Sequence, residues 1–451
     1  MRVMSLLPIF VKVEGERVLV VGGGALAESK VALLREAGAE LCVVSPTATA
    51  RIAEWSRQGQ LCWHARPVEP GDIGGSRLVF AATGVAAVDR EVARQCRERG
   101  ILCNAIDDPD FCDFYSPAVV RRGDLQIAIS TSGRSPALAQ QIREQLERQF
   151  DGDWVQRVDD LGTQRKALLA TMPRGDRRTL ILRSLANAAL VAAFGEHNQP
   201  GKVYFVGSGP GAADLLTVRA LQVLQQADVV LHDELVPDEI KRLAPVDALL
   251  LNVGRRCGQP EVPREVICAL LVSHARAGRA VARLKCGDPS MFARLGEEME
   301  ALERSGIAFE IIPGVTAAVA AAAAAQISLT DRRLASHVVF TTASLSGGQL
   351  QSWRGALIEN ATLVIYMPGR DFGSLAARLA AAGAGAQVPC VVISSVSGPG
   401  EEVCAMPLGE LAQFQPRCSP AIAIVGEVAR GICDARPAPA FAAPDRACAT
   451  V

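Results

Sequence analysis

The hydrophobic residues of the chain recur in short Val/Ile/Leu runs, and Ala/Leu-rich stretches with a helical period lie between them. In the first part of the chain, runs that predict strands lie at 17–21, 41–44, 77–82 and 101–105. Helices are predicted at 25–37 and 86–99. Strands that alternate with helices in this way form parallel sheets. Residues 1–115 are therefore predicted to be an α/β domain with a Rossmann-like parallel sheet.

The next part of the chain changes from this alternation to mainly helical periodicity. A strand at 125–130 and a helix at 136–150 define a predicted dimerisation and substrate segment over 116–150, and a charged helical region with a linker follows over 151–200. The Leu/Ala pattern of these helices is long and is assigned to neither sheet. We expect it to form the interface of a homodimer.

The alternation of strands and helices resumes after a polar break at 197–201, which predicts a domain boundary. The predicted strands of this third part, over 201–434, are 202–206, 228–231, 280–284, 309–312, 337–341, 362–366 and 390–393. They suffice for two small sheets. The Ala/Pro-rich residues 435–451 are predicted to be a disordered tail.

Composition narrows the classes of function. The formal net charge of −1 over 451 residues favours neither nucleic acid nor a membrane surface as a partner. The 13 cysteines are odd in number and contain no C-x-x-C pair, and none of the five histidines has the spacing of a metal site. No metal ligands are therefore predicted. Since no secretion signal is evident, we expect a cytoplasmic protein.

A glycine-rich turn directly follows the first predicted strand. Gly22, Gly24, Ala25 and Leu26 belong to a G-x-G-x-x-A pattern that opens a helix, where a dinucleotide pyrophosphate can approach the backbone. The alternative is a tight turn without a ligand. An acidic residue that would bind the ribose is absent at the end of the second strand.

The residues found there are Ser45, Pro46 and Thr47. Of these, Ser45 and Thr47 together with Arg51 suit the 2′-phosphate of NADP, although short hydroxyl residues also serve NAD. The cofactor is thus predicted as NAD, with NADP possible.

The segments LPIFVKVEGERVLVVGGGALAESKVALLREAGA and CNAIDDPDFCDFYSPAVVRRGDLQIAISTSGRSPALA resemble the precorrin-2 dehydrogenase and ferrochelatase family over the first 150 residues. The resemblance implies NAD-dependent oxidation of precorrin-2 to sirohydrochlorin, then insertion of Fe²⁺ as a substrate, with Asp107 serving both steps. Without it, Asp107 or Asp108 would be read as shaping the turn before Pro109. Gly84 departs from the family, which often has Asp at that position.

Four later motifs resemble the uroporphyrinogen III methyltransferase family, namely VYFVGSGPG, ADVVLHDELV, RLKCGDPSMF and IPGVTA. The resemblance implies a two-lobed tetrapyrrole methylase fold with S-adenosylmethionine between the lobes. The implied contacts to this cofactor are Pro210, Cys286, Gly287, Asp288, Met291, Thr316, Ala317 and Met367. Cys286 replaces a glycine, which is tolerable only if its thiol points away from the ligand.

The methyltransferase resemblance also implies two catalytic positions. Asp233 matches the proton acceptor, and its alternative role is a helix cap. Arg255 replaces the lysine that donates a proton, and a guanidinium is better suited to holding a carboxylate. A basic rim for the substrate carboxylates is one interpretation of Arg255, Arg256, Arg283, Lys285, Arg294, Arg332 and Arg333, and for each of them singly the alternative is a solvated surface charge.

A chain that joins these two halves resembles the siroheme synthase family. The resemblance implies two methylations of uroporphyrinogen III to precorrin-2, oxidation to sirohydrochlorin and iron insertion to siroheme. Gly84, Arg255 and Cys286 leave open a fusion in which one half is inactive. A regulatory protein that binds a tetrapyrrole or nucleotide without turnover is the other alternative.

Overall fold

The structure is a computed structural model that describes residues 6–195, 199–255, 260–343, 360–416 and 420–435. The chain divides into two compact units, Met1–Val158 and Asp159–Val451, which are described separately below. The predicted tail at 435–451 lies outside the described residues except for residue 435.

The first unit is built on a sheet of five parallel strands in the order β3-β2-β1-β4-β5. The strands are β1 (Arg17–Val21), β2 (Glu40–Val44), β3 (Cys62–His64), β4 (Leu78–Ala81) and β5 (Leu102–Ala105). The connecting helices are α1 (Ala25–Glu36), α2 (Ala50–Arg57) and α3 (Ala86–Glu98). This strand order is that of a Rossmann-like fold, so the carboxyl ends of the strands share one edge.

The central strand β1 is buried on both of its faces. Val18 and Val20 pack with Trp55 of α2 on one side, whereas Leu19 and Val21 pack on the other side in the cluster that contains α3. A strand covered on both faces has no polar alternation, which explains the continuous run RVLVV.

The rest of the first unit is a hairpin and a helix. Strands β6 (Ala118–Arg122) and β7 (Leu125–Ile129) pair antiparallel, and α4 (Pro136–Gln149) packs against β6. The Ser135 hydroxyl caps α4 by accepting a hydrogen bond from the Leu138 amide. The helix α5 (Asp153–Thr171) then begins.

The second unit starts within α5 and contains two lobes. The amino-terminal lobe has a parallel sheet in the order β10-β9-β11-β8-β12. Its strands are β8 (Val203–Gly207), β9 (Val229–His232), β10 (Leu249–Asn252), β11 (Val281–Lys285) and β12 (Phe309–Ile312). Its helices are α6 (Asp176–Phe194), α7 (Val218–Leu224), α8 (Asp238–Lys241), α9 (Arg264–Arg276) and α10 (Leu295–Arg304).

The carboxyl-terminal lobe has a mixed sheet in the order β13-β14-β17-β15-β16. Its strands are β13 (His337–Thr342), β14 (Ala361–Tyr366), β15 (Pro389–Ser394), β16 (Glu402–Pro407) and β17 (Ala421–Val425). Its helices are α11 (Ala317–Ala324), α12 (Phe372–Ala381) and α13 (Arg430–Ala435). The chain therefore has the expected α/β class with two small sheets in its second half.

The helices at 151–200 do not form the separate region expected from the sequence. Leu168 of α5 and Leu185 of α6 share one buried cluster with Phe205 of β8 and Leu270 of α9. Their apolar faces cover the amino-terminal lobe, so the boundary lies at residue 159 rather than near 201.

None of the helices within the described ranges is both long and apolar enough to cross a membrane.

Candidate active sites

The glycine turn after β1 leaves open space at the start of α1. Gly22 has φ +122°, and a Cβ there would lie 2.2 Å from the Ala82 carbonyl oxygen, so only glycine fits. At Gly24, by contrast, no heavy atom lies within 4 Å of a Cβ position. Gly24 is the N-cap of α1, and no side chain makes a capping hydrogen bond there. Ala25 and Leu26 are exposed in the first turn of the helix. An anionic group therefore fits against these free amides.

The residues after β2 adjoin this turn. A Cβ on Gly23 would lie 2.1 Å from the Thr47 carbonyl oxygen, so the two loops are in contact. Pro46 and Thr47 are exposed, whereas Ser45 is buried. The Arg51 guanidinium lies 3.4 Å from the Glu28 carboxylate. These contacts are compatible with NAD and with NADP.

Asp107 and Asp108 follow β5 at the same edge of the sheet but differ in their surroundings. Asp108 accepts a 2.6 Å hydrogen bond from Arg90 and precedes the short 3₁₀ helix Pro109–Phe111, so it shapes the turn. Asp107 is exposed and has φ +65°. Burial lowers the pKa of Lys30 on α1, and the negative charge of Asp107 opposes that shift. The Asp107 carboxylate therefore lies within electrostatic reach of the Lys30 ammonium.

A buried carboxylate that the sequence did not indicate lies in the first turn of α3, next to the loop after β4. Asp89 accepts hydrogen bonds from the Thr83 hydroxyl (2.7 Å) and the Thr83 amide (3.1 Å). Gly84 has φ +75°, a conformation that favours glycine. Asp89 thus orders this loop, in which Gly84 stands where the family often has aspartate.

In the second unit, the loops after β8, β11 and β12 approach one another closely through their backbones. Gly209 and Gly287 exchange two amide-to-carbonyl hydrogen bonds of 3.2 and 2.8 Å. A Cβ on Gly207 would lie 2.6 Å from the Gly314 nitrogen, and one on Gly314 would lie 2.3 Å from the Gly287 oxygen. We call Gly207, Gly209, Gly287 and Gly314 the glycine junction. Pro210 follows it directly.

Asp288 connects two of these loops. One carboxylate oxygen accepts from the Ser290 amide at 2.8 Å and from the Ser290 hydroxyl, and the other accepts from the Gly314 amide at 3.0 Å. The sequence expected Asp288 as a cofactor contact. In the structure its hydrogen bonds fix the geometry of the junction.

The two lobes of the second unit meet beside the junction. The Thr316 and Tyr366 hydroxyls are 2.6 Å apart, and the Phe292 ring lies 4.9 Å from the Tyr366 ring. Thr316 is the N-cap of α11, and Ala317 is its first residue. Met367 has φ +50° and is 52 % exposed. The ring contact of Phe292 with Tyr366 thus joins the two lobes, and Thr316 and Met367, predicted from separate motifs, both adjoin Tyr366, whose role was missed.

Asp233 at the end of β9 is held by a buried arginine. Its carboxylate accepts a 2.6 Å hydrogen bond from Arg283 of β11. Burial alone would raise the pKa of Asp233, but the charges of Arg283 and Lys285 and its hydrogen bonds lower that pKa overall. The N-cap of the next helix, α8, is Pro237, so Asp233 is no helix cap. The carboxylate is therefore oriented and ionised.

Glu298 balances the cations beneath Asp233. It is fully buried on α10 and accepts hydrogen bonds from Arg264 (2.6 Å), Lys285 (3.0 Å) and Arg283 (3.2 Å). Arg283 and Lys285 are themselves 2 % and 1 % exposed. They consequently do not belong to the predicted substrate rim, because their charges are paired with the Glu298 and Asp233 carboxylates inside the lobe. Arg256 of that rim lies outside the described residues.

Arg255 lies on a loop fixed against the Asp233 segment. A Cβ on Gly254 would lie 1.9 Å from the Glu234 nitrogen. Arg177 of α6 donates to the Gly254 carbonyl oxygen at 2.5 Å. The exposed Arg255 guanidinium itself lies 2.8 Å from the Glu261 carboxylate. Arg255 already binds a carboxylate here, and α6 positions the loop that presents it.

The half-buried Cys286 side chain packs against the core of the amino-terminal lobe. Burial, with the nearby charge of Asp233, raises the pKa of the Cys286 thiol to about 12, while a side-chain hydrogen bond with Ser208 opposes the shift. The side chain also packs against the apolar cluster that contains Val206. The thiol is therefore neutral and makes its contacts within the lobe.

Three known families match successive parts of the chain. The family of tetrapyrrole (corrin/porphyrin) methylases matches residues 202–412. An NAD(P)-binding family matches residues 9–118. The family of the central part of sirohaem biosynthesis proteins matches residues 122–149.

Individual relatives match over almost the whole length. The siroheme synthase of Methylobacillus flagellatus is 36% identical over 450 residues, which cover 95% of this chain and 96% of the relative. That of Salmonella schwarzengrund is 38% identical over 448 residues, covering 94% and 97%. Among solved structures, the uroporphyrin-III C-methyl transferase of Thermus thermophilus complexed with S-adenyl homocysteine is 36% identical. The match covers 51% of this chain and 100% of that one, with a TM-score of 0.46.

Proposed function

The chain belongs to the siroheme synthase family, and from this premise we propose which residues carry its chemistry and on which substrates they act. It is a multifunctional enzyme of siroheme biosynthesis that uses S-adenosylmethionine and NAD. The proposed sequence is methylation of uroporphyrinogen III twice to precorrin-2, oxidation to sirohydrochlorin, and insertion of Fe²⁺. The second unit performs the first step, and the first unit performs the other two.

S-adenosylmethionine, when bound, supplies an electrophilic methyl group. The residues that would hold it are Pro210, Cys286, Gly287, Asp288, Met291, Thr316, Ala317 and Met367. The fit is supported by the glycine junction, which brings the backbones of three loops together, and by Asp288, which fixes two of these loops. For Cys286 the contact is through the backbone, since its thiol packs into the lobe.

Asp233 is the proposed proton acceptor of the methylation. After a pyrrole carbon has gained a methyl group, a proton must leave the tetrapyrrole, and an ionised carboxylate can take it. The single observation that carries this role is the 2.6 Å contact with Arg283, which keeps Asp233 charged and oriented. Orientation of the two reactants supplies much of the rate.

Arg255 is the proposed clamp for a substrate carboxylate. A guanidinium stays protonated, so it suits two-pronged binding of an acetate or propionate arm rather than proton donation. Its present partner, Glu261, is a carboxylate that the substrate would replace.

NAD, when bound, accepts a hydride. The residues proposed to hold it are Gly22, Gly24, Ala25, Leu26, Pro46 and Thr47, with NADP as the alternative. The open space at Gly24 supports this assignment because a cofactor phosphate fits there. Asp107 is proposed to take a proton from precorrin-2 during oxidation and pyrrole protons as Fe²⁺ enters.

The test is a staged anaerobic incubation of the full chain with uroporphyrinogen III and S-adenosylmethionine, then NAD, then Fe²⁺, followed by absorbance and product mass. We expect the dimethylated, oxidised and iron-loaded products in turn. A stall after methylation would favour an inactive first unit or a need for NADP. Tight binding without any methylation would favour the regulatory protein.

A homodimer in the cytoplasm is the proposed assembly and location. The proposed interface is at 136–195, although α6 within it already covers the amino-terminal lobe. Sedimentation equilibrium of the full chain tests the dimer, and a monomer at micromolar concentration would refute it.

A further inference from the structure

Two strands of the first unit bring together two thiols and an imidazole. In the parallel pairing of β2 and β3, Cys42 is the partner of Cys62, and Val44 is the partner of His64. Residues two apart on a strand point to the same face, so Cys62 and His64 share the face of Cys42. Linear spacing concealed this group because its members come from two strands.

The distances within the group suit a metal ion. The Cys62 sulfur and the His64 Nε2 are 3.4 Å apart, and the three potential ligand atoms all lie within 4.8 Å of one another. Sulfur at about 2.3 Å and nitrogen at about 2.0 Å from a tetrahedral zinc ion lie roughly 3.5 Å from each other. The Cys62 and His64 pair thus already has the required separation.

The surroundings favour an exchangeable ion. Cys62 and His64 are exposed, whereas Cys42 is 7 % exposed. The nearby Asp72 carboxylate is occupied by Arg66, with contacts of 2.6 and 2.8 Å. Three protein ligands with solvent access leave a fourth position for water, as in sites that exchange a ligand.

The thiols must lose their protons on binding. Burial raises the pKa of the Cys42 thiol, as does Cys62, while Arg17 opposes the shift. A divalent ion bound by two thiolates and a neutral imidazole releases two protons and leaves the group without net charge. Affinity should consequently rise with pH.

The group is far from the proposed site of iron insertion. In the order β3-β2-β1-β4-β5 it lies at one side of the sheet, and Asp107 follows the strand at the other side. Three strand spacings of about 4.8 Å lie between Cys42 on β2 and β5, and four lie between β3 and β5, so the group is roughly 14 to 19 Å from that strand. The group cannot be the place where Asp107 acts.

We propose that Cys42, Cys62 and His64 form a second metal site that binds one thiophilic divalent ion of the zinc class, distinct from the site where iron enters the tetrapyrrole. This proposal rests on the geometry of β2 and β3 and not on the proposed function. Binding would also tie the three-residue edge strand β3 to the sheet.

The test uses Co²⁺ as a spectroscopic probe on the reduced, metal-free full chain. We expect one Co²⁺ with thiolate-to-cobalt charge-transfer absorption that Zn²⁺ displaces. Cys62→Ser and His64→Ala alter exposed residues and should each weaken binding by more than about tenfold, since even outer-shell changes at metal sites cost that much. Matched controls are Cys268→Ser and His337→Ala in the second unit, which should bind as the parent does.

Thermal unfolding gives an independent readout. Zn²⁺ should raise the unfolding temperature of the parent and of both controls but not of Cys62→Ser or His64→Ala. Without metal, all five proteins should unfold alike. Absence of Co²⁺ binding by the parent, or unchanged binding by both Cys62→Ser and His64→Ala, would overturn the proposal whatever the enzyme's activity.

Discussion

The two aspartates proposed to move protons contrast in their surroundings. Asp107 is exposed in a left-handed turn, near but not bonded to Lys30 in the described structure. Asp233 is bonded to Arg283, which in turn contacts the buried Glu298. A carboxylate with two successive tasks needs room to meet different partners, whereas one with a single task gains from a fixed direction. The same side chain is therefore adapted to its task by its neighbours.

The largest expected effect separates the two aspartates. Asp233→Asn removes the proposed proton acceptor without changing the size of the side chain, so we expect methylation of uroporphyrinogen III to fall by roughly 10²- to 10⁴-fold. Oxidation of supplied precorrin-2 should not change. Asp107→Asn should instead slow the oxidation of precorrin-2 and leave methylation unchanged. The measurement is the rate of both steps in both variants. A variant that impairs both steps equally would contradict the assignment of the two aspartates to different steps.

The second effect concerns stability. Glu298→Gln leaves Arg264, Arg283 and Lys285 without their buried counter-charge, and breaking such a network costs about 3 to 5 kcal/mol. Urea unfolding of the second unit measures the loss of free energy of unfolding. Glu303→Gln changes an exposed residue of the same helix and is the control. Equal stability of the two variants would show that the buried charges are not coupled.

Much of this contrast was accessible from the sequence, but not its cause. Strand ends are local features, so Asp107 and Asp233 could both be placed after predicted strands. Glu298 could not be found, because a glutamate on an amphipathic helix is normally exposed and only the tertiary packing of α10 buries it. The packing partner of α6 could not be predicted either, since the sequence pattern of this helix shows an apolar face but not which sheet that face covers.

A smaller effect is expected at Tyr366, which lies beside the contact between the two lobes. Tyr366→Phe removes the hydroxyl that lies 2.6 Å from that of Thr316. One such hydrogen bond contributes about 0.5 to 1.5 kcal/mol, so binding of S-adenosylmethionine should weaken roughly two- to tenfold. Calorimetric titration measures it. Tyr204→Phe, whose ring faces Lys202 at 5.0 Å, is the control. Unchanged affinity in Tyr366→Phe would remove this contact from the cofactor site.

The smallest expected effect is that of mild acid on the ionisation of Asp233, where we expect no change. The charges of Arg283 and Lys285 hold the pKa of Asp233 below its ordinary value despite burial. A lowered pKa in the folded state means that this carboxylate contributes stability above its unfolded pKa of about 3.9, and loses it only as the pH falls through the lower folded value. Between pH 7 and 5 Asp233 therefore remains ionised.

The rate of methylation at saturating substrate should accordingly show no inflection from Asp233 across the interval from pH 7 to 5. The rate must be measured at saturation because the carboxylates of uroporphyrinogen III themselves titrate near the acid end. Binding of S-adenosylmethionine at each pH provides the control that the lobe stays folded. An inflection within this interval, with cofactor binding intact, would mean that the proton acceptor is not the carboxylate held by Arg283. A residue other than Asp233 would then be the proton acceptor of the methylation, and the comparison with Asp107 would have to be made with that residue.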